Sequence, residues 1–143
     1  MRPTPIPEAP PRRAAIIDFA PIEPIEIDLG RVEILLRTRG PDAEIEVADM
    51  LGQVRRFYGL CRWEATEGER IGLARAAEQL RALAALLGLV SLERAAAGVL
   101  DCVTRSDDRA LPACTARLLR LGDASERAGW PLETLAPDQG MPG

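Results

Sequence analysis

Histidine is absent from all 143 residues of this chain, which removes the side chain most used as a general base, as the partner of a nucleophile or as a zinc ligand. A Ser or Cys nucleophile would therefore lack its usual neighbouring base. Aromatic residues make up only 3% of the chain, so a core has to be built from Leu, Ala, Val and Ile, the mixture of packed helices rather than of a sheet. Cysteine is scarce as well. Cys61, Cys102 and Cys114 form an odd count at spacings that match no disulfide framework and no zinc signature, so reduced core thiols are expected. Long apolar runs are missing too: the longest without a charge, residues 82–90, is far too short to span a bilayer. Behind Met1 to Pro11 no run of signal-peptide length follows, because Asp18 and Pro21 interrupt the short Ala14-Ala15-Ile16-Ile17 segment. The expectation is a cytoplasmic protein, in a reducing compartment, with no membrane partner. The net charge of −4 is spread along the chain without a basic patch, so no nucleic-acid partner is expected. Gly-rich phosphate loops and EF-hand spacings are lacking, and neither a metal set nor a cofactor is expected. Capping explains the turn carboxylates Glu67, Glu69, Asp107 and Asp108 better than paired-carboxylate catalysis does, and no catalytic constellation remains.

What the chain does have is helical periodicity. Hydrophobic residues make up 47%, enough for the core of one domain. Val47, Met50, Val54, Phe57 and Cys61 recur at steps of three and four, as do Leu73, Ala77, Leu80, Ala84 and Leu87. Leu92, Ala96, Val99 and Val103 make a third stripe, and Leu111, Cys114, Leu118 and Leu121 a fourth. The breaks between stripes carry helix-end chemistry: Gly40-Pro41, then Thr66-Glu67-Gly68, then Gly88 with Ser91 as an N-cap, then Ser106, Asp107 or Asp108 ahead of Pro112. A short helix over 28–38, carrying Val32, Leu35 and Leu36, should pack across the bundle end. These features predict an all-α fold: an up-and-down antiparallel four-helix bundle with a short extra N-terminal helix and disordered tails. Its expected core includes Val54, Phe57, Leu80, Ala84, Leu87, Val99, Leu118 and Leu121, with Trp63 and Trp130 closing the helix ends.

Seven of the twelve prolines fall within the first 24 residues, so residues 1–26 read as an extended, disordered arm. The alternating segment Pro21-Ile22-Glu23-Pro24-Ile25-Glu26-Ile27-Asp28-Leu29 could instead lie as an edge strand or strap across the bundle. The bundle is expected over 27–122 and a C-terminal tail over 123–143, loose from Pro131 onward.

Residues 73–100 carry the most organised pattern. Leu80, Arg81, Ala82, Ala84 and Gly88 stand at +2, +3, +4, +6 and +10 from Glu78. This resembles the centre of a histidine-containing phosphotransfer (HPt) domain. In that family an exposed helical histidine is followed at those places by an apolar residue, Lys or Arg, Gly, Ala and Gly. Here Glu78 holds the phosphoacceptor's place, and Ala82 replaces a glycine. The helix order fits the family over about residues 27–122. The resemblance implies a pseudo-phosphotransferase of two-component phosphorelay signal transduction, a monomer that docks a response-regulator receiver domain or a hybrid histidine kinase and carries no phosphate. With Leu80 at the centre of the buried stripe and about 100° per residue, Glu78 falls opposite, beside Ala82, Ala85 and Ile71, with Arg75 and Arg81 at the flanks. Arg75, Glu78, Arg81, Ala82 and Ala85 are thus the candidate docking face. Two other readings stand beside it: a solvated ion-pair triplet of Arg75, Glu78 and Arg81, and a helical adaptor or assembly protein unrelated to phosphorelay, using its Pro-rich arm.

Overall fold

A computed structural model describes residues 25–133; the expectations for residues 1–24 and 134–143 lie outside the described residues. The chain is all-α, with four long helices and a short one. Helix α1 (Leu29–Arg39) starts at Asp28, whose carboxylate accepts the Arg31 N–H at 3.3 Å as an N-cap. A 3-10 turn, Gly40–Asp42, leads directly into α2 (Ala43–Glu67), whose first turn carries Glu44 and Glu46, charges that suit a helix N-terminus. Gly68, in the left-handed conformation at φ 73°, ends α2, and α3 (Arg70–Leu87) follows at once. After Gly88 come α4 (Val90–Thr104) and α5 (Leu111–Ala128), with Pro112 in the opening turn, where its missing N–H has no helical partner to lose.

The connections are short, so α2 to α5 run up and down, each packed on its chain neighbour, and α5 returns to α2 over a narrower contact. Helix α1 lies against both α2 and α3. Fully buried side chains come from all four long helices: Val47, Val54 and Cys61; Leu80 and Leu87; Leu92 and Val99; Leu118 and Leu121. Of the expected core, Phe57 alone is only partly buried. The inner stripe of α2 runs from Val54 through Tyr58 to Cys61, so Tyr58 takes the inside place. Burying a phenol is tolerated because its hydroxyl donates to the Leu119 carbonyl at 3.0 Å and also meets Asp123.

Four further expectations are corrected. Ser91 is not the N-cap of α4, which begins at Val90; its hydroxyl instead accepts the Glu26 N–H at 2.8 Å. Around it, Ile27 pairs with Leu89 in an antiparallel bridge, Val90 N–H donates to the Glu26 carbonyl at 2.9 Å and Asp28 N–H to the Gly88 carbonyl at 2.7 Å. Residues 25–28 are therefore a strap across the α3 to α4 turn. Gly88 fits there twice over, having φ 72° and the Asp28 carbonyl 2.8 Å from where a Cβ would stand. The expected tail at 123–143 begins too early: α5 runs on to Ala128, and Trp130 is buried, edge-on to Tyr58 with ring centroids 5.7 Å apart. Trp63 closes nothing; it is 61% exposed. Ahead of α5, Asp107 accepts the Ala110 N–H at 3.1 Å, while Ala110 itself occupies the N-cap place.

Candidate functional site

Helix α3 buries Leu73, Ala76, Ala77, Leu80, Ala84 and Leu87, which turns Glu78 outward at the middle of its length. Glu78 edges a groove of about 360 Å³ between α2 and α3, walled by Phe57, Leu60 and Glu64 on one side and by Gly72, Arg75 and Gln79 on the other. The groove brings two carboxylates and one guanidinium together. It is therefore no ready-made anion pocket, for which convergent cations or backbone N–H groups would be needed.

The five face residues separate into two groups. Arg75 and Glu78 share the groove, and Ala82 is exposed one turn further along α3. Ala85 belongs to the α1 junction instead: its carbonyl accepts from Arg31 at 3.2 Å, and it lines a second hollow with Ile34, Leu35 and Leu86. Arg81 is half-buried on the opposite flank. The ion-pair triplet is not formed, since among the described residues no ion pair within 4.0 Å joins Glu78 to Arg75 or Arg81. Glu78 thus presents a carboxylate held by no neighbouring cation.

Sequence reasoning missed the α2 wall. Leu60 and Trp63 stand off the inner stripe of that helix and are exposed, as is Ile71, at 66%, on α3. Of the three only Leu60 lines the groove, and an apolar groove wall marks a protein-contact face more readily than a catalytic pocket. The signal was available: a wheel of α2 with Val54 inside puts Leu60 and Trp63 off the buried stripe.

Two other assemblies lie away from this face. A cavity of about 480 Å³ sits where the α2 to α3 turn meets the start of α5, lined by Ala65, Leu73, Leu111, Pro112, Thr115 and Leu119. The buried Thr115 hydroxyl there has no hydrogen-bond partner. On the α2 to α5 seam, Arg62 reaches Asp123 through Nε at 3.2 Å and through Nη2, while Tyr58 meets the same carboxylate. Burial pushes Asp123 up, but hydrogen bonds from Tyr58 and Arg62 and the charges of Arg62 and Arg127 outweigh it and hold the carboxyl below its ordinary value. Burial, and then the bond to Asp123, push the Tyr58 phenol well up, so it stays protonated and remains a donor. This cluster joins two helices by satisfied bonds and leaves no group free for chemistry.

No helix among the described residues is long and apolar enough to cross a membrane. Among the same residues no group of three or more His, Cys, Asp or Glu side chains is placed to hold a metal ion. Comparisons with protein-family models, with curated proteins and with solved structures give no match to this chain.

Proposed function

We propose that this chain is a histidine-less relative of the phosphotransfer domains, docking a response-regulator receiver or a histidine kinase through its α2 and α3 face without carrying phosphate. One observation carries the reading: Glu78 stands exposed and unpaired at mid-helix, at the edge of a groove, with the small, exposed Ala82 four residues on. A partner active site that must approach a helix face in line needs small neighbours there, because bulk would hold the reacting groups apart. The exposed Leu60, Trp63 and Ile71 supply apolar contact area on the two helices that wall the groove.

Glu78 carries one negative charge, whereas a phosphoryl group carries about −1.5 to −2 with three acceptor oxygens. A receiver's acidic pocket repels such a carboxylate unless a bound divalent cation lies between them. Docking should therefore tighten with Mg²⁺. Glutamate cannot form the phosphoramidate that a histidine would, so no label should arrive from a phosphorylated receiver.

The test is receiver binding by the wild type and by Ala82→Trp, each with and without Mg²⁺. Expected are a Mg²⁺-dependent complex and at least a roughly tenfold loss with the indole, the size of a displaced interface contact. Equal affinities in all four conditions would overturn the reading and favour a helical adaptor that binds through its Pro-rich arm; radiolabel transferred to the chain would overturn the claim that it carries no phosphate.

A further inference from the structure

Helices α4 and α5 bring two of the three thiols together. Cys102, near the end of α4, is buried; Cys114, in the first turns of α5, is only partly buried. Their sulfurs lie 3.5 Å apart, with the Cys102 thiol directed at Cys114 Sγ. The residues between them make a tight reversal, in which Ser106 takes φ 54° and Asp107 accepts the Ala110 N–H. Gly98, one turn before Cys102, lies beside the second sulfur: a Cβ there would stand in ordinary contact with Cys114 Sγ, at 3.7 Å. Cys61 sits apart in the core, fully buried, its thiol pushed up to about 12 by burial.

We propose that Cys102 and Cys114 form a reversible dithiol–disulfide site, oxidised by a small peroxide, whose closure staples α4 to α5. A disulfide needs its sulfurs at about 2.05 Å, so closure asks for an approach of roughly 1.5 Å, within reach of side-chain rotation and a slight shift of the two helix ends. Exposure sets the order of events. The Cys114 sulfur, as thiolate, attacks one peroxide oxygen; the O–O bond breaks, the leaving hydroxide takes up a proton as water, and Cys114 becomes a sulfenic acid. The Cys102 sulfur then gives up its proton and attacks the sulfenyl sulfur, so that the S–S bond forms, the S–O bond breaks and a second water leaves. Two thiols and one peroxide become one disulfide and two waters, the thiols supplying both electrons. Burial, and then the adjoining Cys114 thiol, push Cys102 up to about 11, so it is the poorer first nucleophile toward the peroxide.

The staple lies beside the cavity lined by Leu111, Pro112 and Thr115, at the end of the bundle where α5 begins. Closing it fixes the corner that orders the start of α5.

The experiment treats the folded full-length chain with hydrogen peroxide and counts thiols after denaturation. Wild type should go from three free thiols to one, lose the mass of two hydrogens, yield a peptide joining Cys102 to Cys114, and recover on reduction. Cys61→Ser should still form the link. Cys102→Ser should trap a sulfenic acid on Cys114 that dimedone labels. The oxidised protein should also melt at a higher temperature than the reduced one. Three thiols left free in wild type, a link through Cys61, or bridges formed only between chains would overturn the proposal, as would dimedone failing to label Cys114 in the Cys102→Ser protein.

Discussion

At Gly122 a methyl group would occupy space already taken by the Tyr58 ring, because the phenol of α2 lies against the α5 backbone there. Tyr58 cannot withdraw, since its hydroxyl is bound by the Leu119 carbonyl and Asp123, and Trp130 stands edge-on behind it. Gly122→Ala should therefore cost roughly 1–3 kcal/mol, the range for overpacking a filled site, although alanine is the better helix former. Denaturant unfolding measures it, and a neutral or stabilising result would show that the ring has room to move. None of this was legible beforehand, because a glycine inside a helical stripe reads only as a weak position. Glu78 behaves in the opposite way. Its exposure follows from its angle to Leu80, a local property of one helix, and the structure places it outside as expected. The two tryptophans show the limit of such reasoning. Both stand near helix ends, yet Trp130 is 4% exposed and Trp63 61%, a choice made by where the next helix lies.

Among the elements, helix existence and order were readable because glycine punctuates three of the junctions: Gly40, Gly68 and Gly88 all have positive φ and each stands at the end of a helix. The strap at 25–28 decided what the sequence left open. Once Glu26 supplies a carbonyl to the Val90 N–H, α4 needs no cap from Ser91, and the serine hydroxyl accepts the Glu26 N–H instead. The α2 to α5 seam was not readable at all, since its partners lie more than 60 positions apart. Its cations are arginines, as is every cation in the chain, and Arg62 uses two nitrogens of its fork on Asp123. Asp123 has a lower carboxyl value folded than unfolded, so its contribution is fully present above the unfolded value of about 3.9 and is lost as the pH falls through the folded one. Acid unfolding below about pH 4 should therefore be less steep in Asp123→Asn than in the wild type. Superimposable acid limbs would mean that Asp123 does not contribute to it.

For the whole molecule, the distribution of burial matters more than its total. Helices α3 and α4 each bury six residues, many of them alanines that let the helices approach closely, whereas α5 buries Leu118, Leu121, Gly122 and Ser125. The face proposed for docking thus belongs to the closely packed α2 and α3 pair, while α5 is held to α2 largely by the phenol, Trp130 and exposed ion pairs such as Arg55 with Glu126. Exposed pairs of this kind contribute between nothing and about 1 kcal/mol. Local opening follows the weakest apolar contact, so the amides of α5 should exchange with solvent before those of α3 and α4 when the thiols are reduced. Peroxide oxidation should slow exchange over the first turns of α5 and leave α3 unchanged, because the staple acts at the α4 to α5 corner alone. Hydrogen exchange resolved by peptide distinguishes these outcomes. Uniform protection across the four helices would show that the polar seam holds as firmly as the apolar ones, and the division into a firm docking pair and a looser closing helix would fall.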